Sequence, residues 1–298
     1  MSDPDLPVAS STSTPSLPLG PGVTVLARHR AGLLALLKPG GVLAHPNRRS
    51  EASRSLLTCP YDEESQVFGN GAERWHLLHR LDSGTSGVVL LATDASLASA
   101  VRTAFAEGRV EKHYRAIVKG TPRPHVGTWA DRLEKSRTGA TVRSRAGQGI
   151  AAVTRYRWLQ SDANGIGLSD LELRPQTGRT HQLRVQCEQH GCPVLGDKTY
   201  GDFKWNRRVF AAGLPERLYL HAERIELNLE WEGGAVSFSV TAPLPETFAA
   251  IFERSHEWRN RWRSQPSDHK TPELAWQRVQ RKLKDRSEER RVGKECFL

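Results

Sequence analysis

Short segments that alternate apolar and polar residues recur along this chain, and they limit its possible folds more than any other feature. They are EKHYRAIVKG, AVTRYRWL, GLSDLELR, RLYLHAERIEL and AVSFSV. A period of two is typical of a β-strand with one buried face, and the apolar run SGVVLLAT predicts a strand buried on both faces. Because strands outnumber helices and are mostly joined by turns, we expect an α+β domain on a largely antiparallel mixed sheet with flanking helices.

A few segments have helical patterns instead. Residues 94–108 place apolar side chains every four positions, with Asp94 as a cap and Gly108 at the end. THQLRVQCEQHG predicts a short helix that is capped by Thr180 and ends at Gly191. Before them, LLALLKPGGVLAHP predicts a strand, a turn and a second extended piece.

Composition divides the chain into four parts. Residues 1–22 are rich in Ser, Thr, Pro and Gly and predict a disordered lead-in, and 23–264 form the folded domain. A basic helical tail follows at 265–285. The last segment, 286–298, resembles a translated sequencing adapter, and we interpret it as an assembly artefact. Within the domain, the basic loop 134–149 is either an arm that becomes ordered on RNA or a plain solvent loop.

The charge of the chain favours an acidic partner. The 298 residues carry a net charge of +10 with a pI near 9.8. A basic surface attracts polyanions through counterion release, although a merely solvated surface has the same composition. The apolar runs are too short to span a bilayer and no secretory leader is visible, so we expect a cytoplasmic protein without a membrane partner.

Cys187, His190 and Cys192 lie close together and raise the question of zinc. Their spacing matches no common zinc pattern, and no second cluster supplies further ligands. We therefore expect free thiols and no metal.

The segment HRLDSGTSG, His79 to Gly87, places one carboxylate between basic residues and a glycine-rich turn. By itself Asp82 could be a turn or capping residue, half of an ion pair, or a nucleophile. Further along, Arg174, Arg179 and Arg184 surround a predicted helix start. Such a cluster could bind phosphates or hold a buried carboxylate such as Asp82.

Six segments, in order, resemble the motifs of the RluA-type RNA pseudouridine synthases. They are KPGGVLAHP, HRLDSGTSGVVLLA, KHYRAIVKG, TGRTHQLRVQ, HGCPVLGDKTYG and LYLHAERIEL. The resemblance covers roughly residues 33–245 and implies the catalytic fold of that family. It also implies that a uridine in tRNA or rRNA is isomerised to pseudouridine, with base flipping and without cofactor or metal. The S4 RNA-binding domain of many relatives has no counterpart here, and we expect a monomer.

The resemblance also implies roles for individual residues. Asp82 matches the catalytic aspartate, whose attack at C1′, attack at C6, or promotion of a glycal route all stay open. Tyr114 matches the tyrosine that stacks on the base, although a tyrosine in an alternating strand is more often a core residue. Arg179 matches the arginine that pairs with the aspartate and keeps it ionised.

Four further residues are candidates for substrate binding. Arg80 matches a residue that fills the gap left by the flipped uridine, and an ordinary phosphate contact is the alternative. Leu183 would pack near the base, while Lys38 and His45 would be structural or face the RNA. Two other functions are weighed against this one. A non-catalytic RNA-binding protein would not need Asp82, and an aspartyl-nucleophile hydrolase would need metal-binding carboxylates that are missing near it.

Overall fold

One large sheet organises this protein. The computed structural model describes residues 17–70, 72–138, 141–162, 165–252 and 256–265. Within them the strands are β1 Thr24–Arg28, β2 Leu33–Lys38, β3 Tyr61–Asp62, β4 Val67–Asn70, β5 Glu73–Leu77, β6 Ser86–Ala92, β7 Val110–Lys119, β8 Val126–Thr138, β9 Thr141–Ala146, β10 Ile150–Ser161, β11 Leu168–Pro175, β12 Leu220–Trp231 and β13 Gly234–Thr241. The helices are α1 Ala95–Ala106, α2 Gln182–Gln189, α3 Phe203–Ala211, α4 Glu246–Phe252 and α5 His256–Ser264, with a 3-10 turn at Arg49–Arg54.

The sheet is antiparallel except at one junction. Its main path runs β3-β4-β5-β6-β12-β7-β11-β10-β8-β9, with β2 paired to β1 and β6, and β13 paired to β12. At the junction β6 and β12 run parallel, with Ser86 opposite His221 and Gly87 opposite Ala222. The expected α+β fold on a largely antiparallel mixed sheet is therefore confirmed.

The glycine at the parallel junction is required by its surroundings. Gly87 has a φ of +124°, and a Cβ there would lie 2.2 Å from the carbonyl oxygen of Ala222. This close approach lets β6 begin directly after the Asp82 turn. The sequence HRLDSGTSG thus ends in the residue that brings two central strands together.

Helix α1 forms as the sequence predicts. The Asp94 side chain accepts a hydrogen bond from the backbone N–H of Leu97, at the N-terminus of the helix. Buried side chains of α1, Leu97 and Val101 among them, pack with β2, β6, β12 and β13 in one hydrophobic core. None of the helices in the described part of the chain is long and apolar enough to cross a membrane.

Three sequence expectations need correction. The packed chain begins before residue 23, because Leu19 forms a β-bridge with Leu57 and the Gly20 N–H donates to the Leu56 carbonyl. The basic segment 134–149 is largely the antiparallel hairpin β8–β9 rather than a loop. Helix α2 begins at Gln182, and its N-cap is His181 rather than Thr180.

Parts of the predicted domain plan cannot be compared with the fold. The lead-in up to residue 16, the basic tail from residue 266 and the segment 286–298 lie outside the described residues. Within the described residues, the sequence analysis also missed α3, which Asp202 caps by accepting from the Trp205 N–H.

Candidate active site

The turn that carries Asp82 is held from two sides. The Asp82 carbonyl accepts the Thr85 N–H at 3.1 Å, which closes the turn before β6. The next carbonyl, that of Ser83, accepts the Gly41 N–H at 2.7 Å and the Lys38 ammonium at 3.0 Å. The turn at the end of β2 therefore fixes the backbone on which Asp82 stands.

Lys38 provides part of this support from a buried position. Its side chain is fully buried, and its ammonium donates to the carbonyls of Pro39, Val42 and Ser83. Burial is the main reason that the pKa of Lys38 falls to about 7. The charge of Asp82 opposes this shift to a smaller extent, and the charge of Arg217 adds to it. Of the two roles expected for Lys38, the geometry matches the structural one.

The Asp82 carboxylate is paired with Arg184. Arg184 Nη1 donates to Asp82 Oδ2 at 2.9 Å, while Nε and Nη2 donate to the two oxygens of Asp197 at 2.6 and 2.8 Å. Asp197 is fully buried, and it also accepts the N–H groups of Thr199 and Tyr200. This is a fixed arrangement, because the guanidinium is planar and Asp197 occupies one of its edges.

The expected pair between Arg179 and Asp82 is wrong in this structure. Arg179 precedes α2, its side chain is largely exposed, and its Nε donates to the Ala151 carbonyl at 3.2 Å. Arg184 lies in the first turn of α2 and reaches Asp82 from there. The cluster of three arginines noted in the sequence contains the correct residue, but the motif match selected its neighbour.

The opposite charges of Asp197 and Arg184 keep both groups ionised although they are buried. Burial by itself raises the pKa of Asp197, but the hydrogen bonds and charge of Arg184 outweigh this and hold that pKa below 3.8. Burial likewise lowers the pKa of Arg184, and its contacts with Asp197 and Asp82 outweigh burial and raise it. Both groups are therefore charged at neutral pH.

A pocket of about 570 Å³ opens on one side of Asp82, and we call it the tyrosine pocket. Its walls include Tyr114, Leu183 and Leu220, with Asp82 and Arg184 at the rim. Burial, with a smaller contribution from the Asp82 charge, raises the pKa of Tyr114, so its hydroxyl stays protonated at neutral pH. Tyr114 and Leu183 thus line the same pocket, and their contact with a base stays a prediction.

A larger cleft of about 1150 Å³ opens on the other side, and we call it the basic cleft. Its charged lining residues are Arg80, Asp82, Arg179, Arg184, Lys198, Glu216 and Arg217. Cations outnumber acids there, and Asp82 is already paired, so the cleft favours a polyanion. The sequence analysis did not single out Lys198, which lies in the motif HGCPVLGDKTYG, or Arg217, which directly precedes the motif LYLHAERIEL.

Arg80 and His45 meet at the edge of the basic cleft. Arg80 Nη1 lies 3.3 Å from His45 Nε2, and the His45 ring stacks on Tyr61 with a centroid distance of 4.9 Å. The Arg80 side chain is exposed. Both predicted residues thus line the basic cleft.

The histidine of the aspartate motif has a different environment. His79 Nε2 accepts the Leu90 N–H at 3.1 Å, and burial lowers the pKa of His79 to about 3. A neutral imidazole that accepts a backbone N–H has a structural role.

The three residues considered for zinc have other partners. Cys187 and Cys192 are buried in the hydrophobic core beneath α2. The His190 ring stacks on Trp129, and its Nε2 lies 3.1 Å from Asp131 Oδ2.

A separate group could in principle ligate a cation. In the described part of the chain, ligand atoms of Glu111, His113 and Glu226 lie within 4.8 Å of one another. Arg224 already contacts both Glu226 and the His113 ring, so positive charge is present at that point.

The geometry defines a class of protein. A carboxylate fixed by an arginine stands between a basic cleft and a pocket lined by a tyrosine, at the only parallel junction of the sheet described here. This is the arrangement of a protein that holds an acidic residue beside a cleft suited to a polyanion.

Comparisons identify the family. A family model for RNA pseudouridylate synthase matches residues 32–189, more than half of the chain. This chain belongs to the RNA pseudouridylate synthase family, and specifically to its RluA-type branch.

Relatives agree with this assignment. A ribosomal large subunit pseudouridine synthase C of Rickettsia prowazekii is 35% identical over 213 residues, which span 71% of this chain and 65% of the relative. The alignment therefore omits about a third of that relative. The mitochondrial pseudouridylate synthase RPUSD4 of Xenopus tropicalis is 31% identical, with 75% of this chain and 78% of the relative covered.

A solved structure has the same fold. Human RNA pseudouridylate synthase domain containing 4 superposes with a TM-score of 0.55 and 27% identity, covering 80% of this chain and 92% of the human one.

Proposed function

We propose that this protein isomerises a uridine within RNA to pseudouridine and that Asp82 is its nucleophile. The observation that supports this most is the position of the Asp82 carboxylate between the basic cleft and the tyrosine pocket. Arg184 occupies Oδ2 and leaves Oδ1 without a hydrogen bond among the described residues. One oxygen is thus oriented by Arg184, and the other would attack C1′ or C6 of a uridine.

The reaction needs few groups beyond these. The N1–C1′ bond breaks, the uracil turns, a C5–C1′ bond forms, the hydrogen at C5 leaves as a proton and N1 takes up a proton. The bond that Asp82 forms with the substrate is broken again before product release. No electrons are gained or lost overall, so the chemistry requires no redox cofactor. The site must instead retain the detached uracil, and the tyrosine pocket has a size that is usual for small ligands.

Tyr114 and Leu183 would hold that uracil. A tyrosine ring can stack on the base, and its hydroxyl, kept protonated by burial, can donate a hydrogen bond. Arg80, exposed beside Asp82, would fill the gap that the flipped nucleotide leaves in the RNA. Arg179 would then be an RNA-facing residue, since Arg184 makes the pair with Asp82.

Structured tRNA or rRNA is the proposed substrate. The basic cleft supports a polyanionic partner, and two of the curated relatives are named for ribosomal large subunit and tRNA modification. Activity without metal or cofactor, the monomeric state and the cytoplasmic location expected from the sequence stay predictions.

The test uses bulk tRNA and bulk rRNA tritiated at uridine C5, with release of tritium as the readout. Wild type should release tritium from one pool, and Asp82→Asn should release none while binding RNA with similar affinity. Asp62→Asn, at the exposed end of β3, is the matched control and should behave as wild type. No release by wild type with RNA binding intact would favour a non-catalytic RNA-binding protein.

A further inference from the structure

His181 has an unusual backbone beside the candidate nucleophile. It is the N-cap of α2 and has a φ of 55°, a left-handed conformation that residues other than glycine rarely adopt. Such a conformation persists only where the surroundings hold it. Here the conformation directs the imidazole between Asp82 and Tyr200.

The hydrogen bonds around Tyr200 favour one tautomer of His181, the one with its proton on Nε2. The backbone N–H of Ser144 donates to the Tyr200 hydroxyl oxygen at 2.9 Å. The single hydroxyl hydrogen of Tyr200 is then free to donate to His181 Nδ1, which lies 2.9 Å away. A neutral imidazole whose Nδ1 accepts a hydrogen bond carries its proton on Nε2.

The neutral form is the one present at neutral pH. Burial lowers the pKa of His181 from 6.5, although the charge of Asp82 opposes this effect. His181 Nε2 lies 3.8 Å from Asp82 Oδ1, the oxygen that Arg184 does not contact. Distances of this kind often shorten when a substrate closes an active site.

We propose that His181 is a positioning residue for Asp82, with its Nε2–H directed at Oδ1 by the hydroxyl of Tyr200. Arg184 and His181 then fix the two carboxylate oxygens from different sides, which holds the plane of the carboxylate as RNA enters. This inference rests on the proposed role of Asp82. It adds a residue that the family resemblance did not assign.

The same contacts tie His181 to the hairpin β8–β9. Ser144 belongs to β9, and its hydroxyl donates to the carbonyl of Thr180, the residue before His181, at 2.7 Å. The backbone and side chain of His181 are therefore both held through Ser144. Two hydrogen bonds thus connect the hairpin to His181, whose Nε2 lies 3.8 Å from Asp82 Oδ1.

Three substitutions of His181 distinguish a positioning role from a purely structural one. His181→Gln keeps an N–H donor near the position of Nε2, and His181→Leu removes it at a comparable left-handed strain. His181→Asn suits the left-handed backbone best, but its amide is too short to reach Asp82. Positioning predicts that Gln keeps at least about a third of the wild-type kcat while Leu and Asn lose about tenfold, with KM little changed.

A purely structural role predicts a different order. Activity would then follow the melting temperature, so that Asn would be the most active variant and Gln would resemble Leu. That order would overturn the proposal.

Tyr200→Phe tests the tautomer itself, because it removes the hydroxyl and keeps the ring against Arg184. Imidazole ¹⁵N shifts should show His181 protonated at Nε2 in wild type and mixed tautomers in Tyr200→Phe. Tyr219→Phe, which removes a hydroxyl bonded to the Pro215 carbonyl, is the matched control and should leave the shifts unchanged.

The NMR measurement needs no RNA, so it decides the inference even if wild type releases no tritium. In that case the proposed function fails, while the contact is still read from a shift of the His181 Nε2–H resonance in Asp82→Asn. A wild-type proton on Nδ1, or no response to Asp82→Asn, would overturn the contact.

Discussion

Arg184 contacts Asp82 with the one terminal nitrogen that Asp197 leaves free. Nε and Nη2 form a fork on the Asp197 carboxylate, and Nη1 points outward to Asp82 Oδ2. Since the guanidinium is planar, the fully buried Asp197 sets the direction from which Arg184 approaches Asp82. A residue outside the RluA-type aspartate motif thereby controls the orientation of the candidate nucleophile.

Removing the charge of Asp197 should therefore impair both stability and activity. We expect Asp197→Asn to lower the free energy of unfolding by about 3 kcal/mol, because Arg184 loses a buried ionic partner. The kcat for tritium release should fall more than RNA affinity, because Arg184 can then turn away from Asp82. Urea unfolding and saturation kinetics measure the two effects. Glu172→Gln, at ion pairs whose Arg157 and Arg174 side chains are exposed, is the control and should change little.

The ion pair between Asp197 and Arg184 should make the stability of the protein depend on pH. The pKa of Asp197 is lowered in the folded state, so its stabilising effect is present above the unfolded value and is lost as pH falls through the folded one. The stability difference between wild type and Asp197→Asn should therefore shrink below pH 3.8. A constant difference on acidification would contradict the assigned charge.

Much of this architecture could be predicted because local pattern and tertiary environment agree. The alternating strands and α1, with its Asp94 cap, form where the sequence indicates. The hairpin β8–β9 could not be predicted, because its many polar and small residues lack a strand signal and it forms by pairing with β10.

The choice between Arg179 and Arg184 shows a different limit. Both arginines belong to the motif TGRTHQLRVQ, and their spacing alone does not show which of them faces Asp82. The answer depends on where α2 begins, which the left-handed His181 decides. Lys38 is similar, since nothing in a Lys-Pro-Gly-Gly turn reveals that its ammonium is fully buried.

Lys38 should make stability depend on pH in the alkaline range. Burial lowers its pKa from 10.5 to about 7, so between these values the folded state binds fewer protons than the unfolded one. Stability must then rise with pH in this window, relative to a variant without the group. We expect wild type to gain stability relative to Lys38→Met as pH rises from about 7 to 10.5.

Denaturant unfolding at several pH values measures this difference. The exposed Lys204 offers the same substitution as a control, and Lys204→Met should show no such window. Activity should move in the opposite direction, because a neutral amine has two N–H groups for three carbonyls, and the Ser83 contact beside Asp82 weakens. A flat stability difference would show that Lys38 does not titrate there.

Arg80 and Lys198 both line the basic cleft, yet their removal should have different effects. Arg80→Ala should lower kcat by about tenfold or more. Flipping a base out of the RNA costs a few kcal/mol, and the variant lacks the side chain that would fill the gap. Lys198→Ala should leave kcat near wild type, weaken RNA binding several-fold and reduce the slope of log K against log salt by about 1. Equal changes in both variants would mean that Arg80 is only a phosphate contact.

The close approach of β6 and β12 should make Gly87 difficult to replace. A Cβ at Gly87 would lie 2.2 Å from the Ala222 carbonyl oxygen, and its φ of +124° is unfavourable for alanine. We expect Gly87→Ala to lower the free energy of unfolding by about 3 kcal/mol or more. Gly233 has a φ of +73° and open space around it, so Gly233→Ala should cost only about 1 kcal/mol. Asp82 lies in the turn that leads into β6. The fraction of the Gly87→Ala protein that still folds should therefore also lose tritium release, while the Gly233→Ala protein keeps it. Equal destabilisation of the two variants in urea would show that the parallel junction relaxes without strain.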